Sequence, residues 1–148
     1  MATRFAYRQP QAGSQGFART RKVIGGAANV AGGAGVTGTG DLALNANVAL
    51  FRVPKDFVVT GWFGPAFPKL DSGATLTFNL GDVGNPTRYL AASTLGQAGG
   101  ALPAFPAGAL YYQYPTDTDM IMNISAAAAG NQAAPGPVTI YLEGFIAP

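Results

Sequence analysis

The chain has 148 residues, 48% hydrophobic and 11% charged, with a formal net charge of +2. Glycine and proline together make 32 of the 148 residues, well above the average share of about 12%, which excludes a helix bundle and favours short strands joined by turns. Cysteine and histidine are absent, which removes disulfides, thiol nucleophiles, imidazole acid–base chemistry and the usual zinc and haem ligands. No catalytic set, cofactor or metal is expected, and the low charge content argues against disorder along the whole chain.

Residues 1–22 carry Arg4, Arg8, Arg19, Arg21 and Lys22 and no acid, a charge of +5, while residues 23–148 sum to −3. Phe5, Tyr7 and Phe17 are interleaved among these charges. A basic segment with aromatic anchors reads as a strap for a protein surface rather than a free tail. Five charges without clustering make a poor nucleic-acid footprint. Residues 23–40 hold seven glycines in 18 residues, too little side chain to bury much area, so a flexible or extended connector is expected. The domain division is therefore an arm with its connector, 1–40, and a body, 41–148. The uncharged stretch Val23–Val36 is too weakly apolar for a signal peptide, and no run of about 20 apolar residues indicates a membrane span.

In the body, Leu42, Leu44, Ala46, Val48 and Leu50 alternate with Ala43, Asn45, Asn47 and Ala49, predicting a strand that Pro54 stops. A second strand is expected over Phe57–Phe63, with a bulge at Gly61. Asp71-Ser72-Gly73 signals a turn. Leu76, Phe78 and Leu80 then alternate with Thr75, Thr77 and Asn79, the cleanest amphipathic strand in the chain. After a turn at Gly81–Gly84, Asn85-Pro86 has the form of a helix start, predicting a helix over 86–95 that Gly96 ends. A loop over 97–109, a strand over Leu110–Tyr114 and a turn at Pro115–Asp117 follow. Met120, Met122 and Ile124 mark a further strand, 126–136 a hairpin loop, and Val138, Ile140 and Leu142 the last strand. Six or seven strands, one short helix and no βαβ alternation predict a mainly β fold: an antiparallel β-sandwich or jelly-roll-like barrel with a long extended N-terminal arm.

The motifs carrying chemistry have plainer readings. Gly33–Gly38 matches G-x-G-x-x-G, but no strand precedes it and no helix follows, as a dinucleotide site would require. Asn123-Ile124-Ser125 matches a glycosylation sequon inside a predicted strand, where chance is the better account. Asp71, Asp82, Asp117 and Asp119 are read as turn formers, since no loop has a calcium pattern and nothing places two of them across a cleft as a glycosidase pair. Among Phe63, Phe67, Phe105, Tyr111, Tyr112 and Tyr114, most are expected in the core. Tyr111 and Tyr112 are adjacent, so one of them is a candidate for an interface. The apolar end Phe145–Pro148 is expected to dock against the body or a neighbour.

The segment Thr75–Gly99 (TLTFNLGDVGNPTRYLAASTLGQAG) resembles small structural proteins of tailed bacteriophage heads. The shared pattern is a threonine-rich strand ending Leu-Gly-Asp, a Pro-x-Arg-aromatic step, here Pro86–Tyr89, and an Ala/Gly-rich stretch. A Tyr/Thr/Asp-bearing strand, here Tyr111–Asp119, and a Gly-rich hairpin with a closing strand, here Ala126–Phe145, complete it. The resemblance implies a β-sandwich capsid decoration (cement) protein, on the virion surface after synthesis in a host cytoplasm, with the major capsid protein as partner and a homo-oligomer, a trimer favoured. It also gives the arm a use, with Arg4, Phe5, Tyr7, Arg8, Phe17, Arg19, Arg21 and Lys22 as the contact residues, since arginine and aromatics carry most interface energy. The rival readings are a receptor- or glycan-binding head-fibre or tail module presenting loops 97–109 and 126–136, and a tail or connector component.

Overall fold

A computed structural model of the chain describes residues 20–30, 40–129 and 137–148. Seven strands are found among them: β1 (Lys22–Asn29), β2 (Asn47–Val53), β3 (Phe57–Phe63), β4 (Thr77–Asp82), β5 (Asn85–Ser93), β6 (Thr118–Ala126) and β7 (Pro137–Ile146). They form two antiparallel sheets, one of three strands ordered β1-β7-β3 and one of four ordered β2-β6-β4-β5. No ladder joins the two sheets among the described residues, so this is a sandwich and not a closed barrel. Every connection from β1 to β4 changes sheet, and β6 to β7 changes back. The segment 111–114 runs along the free side of β3 through the Val58–Gln113 bridge. It supplies the eighth position of a jelly-roll arrangement of two sheets.

The core follows from the period of two. Phe78 and Leu80 of β4, Met120, Met122 and Ile124 of β6, and Val138, Ile140 and Leu142 of β7 are buried, with Phe57 and Val59 of β3 beside them. Phe67 stacks on Phe78 at 5.1 Å. Close backbone approach matters at Gly144, where a Cβ would lie 2.0 Å from the Val58 carbonyl oxygen and 2.7 Å from the Phe57 ring. The expected bulge at Gly61 is present as a register shift between Val59 and Gly61.

Five local expectations are corrected. The strand expected from Leu42 starts only at Asn47, because Asn45 adopts a left-handed conformation with φ 67°, which asparagine tolerates, and residues 41–45 form turns. The helix expected over 86–95 is strand β5. The Asn85 side chain does accept a bond from the Thr87 N–H at 3.2 Å, as a cap would. However, pairing with β4 across a tight Val83-Gly84 turn extends the chain, and a helix of ten residues has little stability of its own to oppose that. Pro86 is tolerated because β5 is an edge strand.

The only α-helix among the described residues is α1 (Leu95–Ala98). Gly96 does not end it but lies buried within it, where a Cβ would meet Leu76 Cδ2 at 2.7 Å. Gly99, at φ 79°, closes the turn by donating its N–H to the Leu95 carbonyl. Leu110–Tyr114 is not a regular strand, since Tyr111 has φ 64°. It still exchanges backbone bonds with β3, Tyr111 N–H to Val59 O at 2.7 Å and Tyr114 N–H to Phe57 O at 3.0 Å. The stretch expected as an extended connector contributes β1, paired with β7 along Lys22–Asn29.

Candidate interaction surface

A buried polar cluster joins the β4–β5 hairpin to the 111–114 segment. The Asp82 carboxylate, 2% exposed as a residue, accepts from Arg88 Nε and from the Asn85 N–H at 2.8 Å. The guanidinium lies 3.6 Å from the centre of the Tyr112 ring, close enough for a cation–π contact. Burial works against the Arg88 charge, but the hydrogen bond and charge of Asp82 outweigh it and raise the guanidinium pKa above its ordinary value. Tyr89 and Tyr114 share a hydrogen bond between their hydroxyls. Burial pushes both phenols well above the ordinary tyrosine value; the neighbouring Tyr89 and Asp82 push Tyr114 further. Trp62 and Phe105 close the cluster in edge contact at 5.7 Å, with the indole N–H donating to the Pro103 carbonyl.

The remaining aspartates are occupied by backbone and counter-charges; Asp71 and Asp117 sit in turns or loops as expected, whereas Asp119 lies in strand β6, paired with Arg52 of β2, and is no turn former. Asp71 is fully buried. Its Oδ1 accepts from the Gly73 N–H at 2.7 Å, and its Oδ2 from the Thr75 and Leu76 N–H groups at 2.7 and 2.8 Å. Asp117 accepts from the Lys55 N–H, and Asp119 pairs with Arg52 at 3.2 Å on the surface. No group of three or more potential metal ligands occurs among the described residues. A shallow groove of about 370 Å³ along Leu90, Ser93, Leu95, Ala101 and Pro103 brings together no ionisable side chain.

The two outer sheet faces differ sharply. On the four-stranded sheet, side-chain amides form a ladder across strands, Asn79 to Asn123 at 2.8 Å and Asn123 to Asn47 at 2.7 Å, while Asn79 Oδ1 accepts the Ala92 N–H. The Thr77–Ser125 hydroxyl pair and the Arg52–Asp119 ion pair continue this polar surface. The sequon residue Asn123 is thus the centre of the ladder. On the three-stranded sheet, directly paired residues share a face: Val23 and Gly61 flank Glu143, Gly25 and Phe63 flank Tyr141, and Ala27 lies beside Thr139. Phe63 stacks on Tyr141 at 5.0 Å and is still 41% exposed, with Val23 at 40%. The single charge on this face, Glu143, is closed by Arg21 at 3.0 Å. Exposed Leu110 and Tyr111 extend the apolar character past the β3 edge.

Of the contact residues expected from sequence, Arg4, Phe5, Tyr7, Arg8, Phe17 and Arg19 lie outside the described residues. Arg21 and Lys22 lie where the chain enters β1, both exposed. Of the aromatic set, Phe67 and Tyr114 are core, Phe105 and Tyr112 are half-buried, and Phe63 and Tyr111 are exposed. Val23, Ala27 and Tyr141 were not expected as surface contacts. For Tyr141 the signal was the half of the β7 alternation left over once Val138, Ile140 and Leu142 were given to the core; the small residues of β1 gave none for Val23 and Ala27.

No family model matches the chain, and neither does any curated protein. Two solved structures resemble it along nearly its whole length. One is a chain of the cyanophage Pam1 capsid asymmetric unit, 28% identical, covering 99% of each chain with a TM-score of 0.68. The other is a chain of the Ralstonia phage GP4 capsid, 20% identical, covering 95% of this chain and 92% of that one with a TM-score of 0.60; at that identity it bears on the fold alone. Fold and surface define a small jelly-roll sandwich of two antiparallel sheets. Within that class, the chain is a structural protein related to those of phage capsids.

Proposed function

We propose that the chain is a decoration protein, which binds the outside of an assembled phage head and stabilises it by burying interface area. The observation that carries this is the full-length likeness, in sequence as well as fold, to a chain of the Pam1 capsid. The body supports attachment to a finished surface, because its core is closed within one chain. The arm residues Arg4, Phe5, Tyr7, Arg8, Phe17, Arg19, Arg21 and Lys22 serve as the strap against the major capsid protein. An ordered arm of this length buries over ~1,000 Å², enough for a specific contact. Many equivalent copies on one shell then add through multivalency, and a homotrimer suits this role.

The test is binding of the full-length chain, and of a chain starting at Thr20, to purified shells that lack it. The full chain is expected to bind and to raise the temperature at which the shells come apart. The shortened chain is expected to stay folded and to lose at least tenfold in affinity. Undiminished binding without residues 1–19 would remove the strap, and no binding by the full chain would remove the decoration reading.

A further inference from the structure

We propose that the β7 edge is a strand-binding site, and that its resident strand, β1, can leave it and be replaced by β1 of a second copy of this chain. This site is the same whatever surface the chain attaches to.

The site is defined by its regularity. Every other ladder among the described residues carries a register shift. The β1–β7 ladder runs without one through eight consecutive pairs, from Lys22 opposite Gly144 to Asn29 opposite Pro137. The side of β7 that faces β1 is therefore the longest unbroken run of strand pairing among the described residues. A long, regular edge of this kind accepts a strand, and the main-chain bonds supply the affinity.

The resident strand holds on by little else. None of the eight residues of β1 is buried, whereas each of the other six strands buries at least one. Of its half-buried residues, Ile24, Gly26 and Ala28, only Ile24 is large. The ion pair at its start, Arg21 with Glu143, lies at the surface and holds weakly. The nearest deeply buried side chain is Val30, just past the other end. Opening from Lys22 toward Asn29 thus breaks backbone bonds but uncovers little apolar area, and Val138, Ile140 and Leu142 keep their places in the core.

Gly25 selects the occupant. Its φ is 109°, and a Cβ there would lie 2.3 Å from the Ile140 carbonyl oxygen and 3.0 Å from the Phe51 ring. A strand seated on β7 in this register therefore needs glycine opposite Tyr141, which excludes most extended segments. The sequence seen to meet this demand is β1 itself. The same eight residues from another copy make the same contacts, so exchange forfeits none of them. Every β7 stays covered, and the balance between the two arrangements follows the concentration of the chain against that of its own tethered strand.

The chain has no cysteine, so a disulfide can trap the exchange. Ala27 and Thr139 are directly paired, within disulfide reach. A full-length Ala27→Cys chain mixed with a Thr139→Cys chain under mild oxidation is expected to form the mixed dimer at least tenfold faster than when mixed with Ala49→Cys, exposed on the other sheet. Adding Gly25→Ala to the Ala27→Cys chain is expected to abolish that preference. Hydrogen exchange of the wild-type chain needs no variant. The β1 amides bonded to β7 are expected to exchange at least tenfold faster than the β3 amides bonded to its other side. A mixed dimer formed no faster than the control, or a preference that survives Gly25→Ala, would overturn the exchange. Amides of β1 protected as firmly as those of β3 would overturn the release on which it depends.

Discussion

Asp71 offers the sharpest test of how the fold is held. Its carboxylate is fully buried and gathers three backbone N–H groups, with the Thr75 hydroxyl at 3.3 Å and the Ala129 N–H at 3.4 Å as weaker partners. Among these contacts Oδ1 accepts from Gly73 and Oδ2 from the rest, so the two oxygens are unequally loaded. An asparagine can turn its oxygen to the Oδ2 position, keep Thr75 and Leu76, and set its amide nitrogen against the Gly73 N–H. Asp71→Asn therefore loses one bond and the charge, a cost of about 2–3 kcal/mol. Asp71→Ala strands all three N–H groups. Water can reach Gly73 and Thr75, but Leu76 is buried, so the cost is about 4–6 kcal/mol. Against a total stability of 5–15 kcal/mol typical of such domains, the alanine variant stands near unfolding. Urea denaturation followed by the fluorescence of the single tryptophan, Trp62, reads both. The asparagine midpoint should fall by about 1 M and the alanine midpoint by at least twice that, for a slope of ~2 kcal/mol/M. Equal shifts for the two variants, or none, would refute the unequal loading.

Three further outcomes are expected. Burial raises the pKa values of Tyr89 and Tyr114 above those of the unfolded chain; their contribution is whole below about pH 10 and is lost as pH climbs from there toward the folded values, at up to ~1.4 kcal/mol per pH unit for each group. Denaturation midpoints between pH 9 and 12 should fall accordingly, and a flat profile would contradict the burial. Arg88→Met strands the Asp82 carboxylate and should cost about 3–5 kcal/mol, whereas Asp82→Asn/Arg88→Met should recover more than half of that, as read by thermal unfolding. Gly144→Ala drives a methyl into the Val58 carbonyl at 2.0 Å and should cost about 3 kcal/mol or more, while Gly108→Ala, with nothing within 4 Å of its Cβ, should stay within about 0.5 kcal/mol of wild type.

Strands that bury one face were legible in the sequence. Phe57–Phe63 has the bounds read from it, and β4, β6 and β7 bury the alternating residues that the pattern named. Legibility failed where a local signal was real but outvoted. Asn85 makes a cap-like bond, yet the Tyr89 ring is needed between the sheets and the hairpin extends the chain to deliver it. It failed also in β1, where Gly25, Gly26, Ala27 and Ala28 give no hydrophobic period. That strand is held by its backbone pairing to β7, and Gly25 must stay small because a Cβ would come 2.3 Å from the Ile140 carbonyl oxygen. The Asp82–Arg88–Tyr114 cluster was hidden for a different reason. Tyr114 comes from a segment 25 positions beyond Tyr89, and no spacing rule connects them.

The sheet edges bear on how such a body can associate. A long, flat open edge invites strand addition, yet each edge here is interrupted. In β5, Pro86 lacks a donor and Ala92 is left-handed at φ 48°. In β1, Gly25 and Gly26 both have positive φ in mid-strand. In β2, the register shifts between Ala49 and Phe51. The segment beside β3 has left-handed Tyr111 at one end and Pro115 at the other. Neighbouring bodies packed at the high local concentration of a shell would otherwise pair edge to edge into open-ended sheets. With the edges blunted and the amide ladder saturated, association is left to the surfaces whose groups are not already spent. Among the described residues Val23 and Phe63, exposed on the outer face of the three-stranded sheet, are such groups.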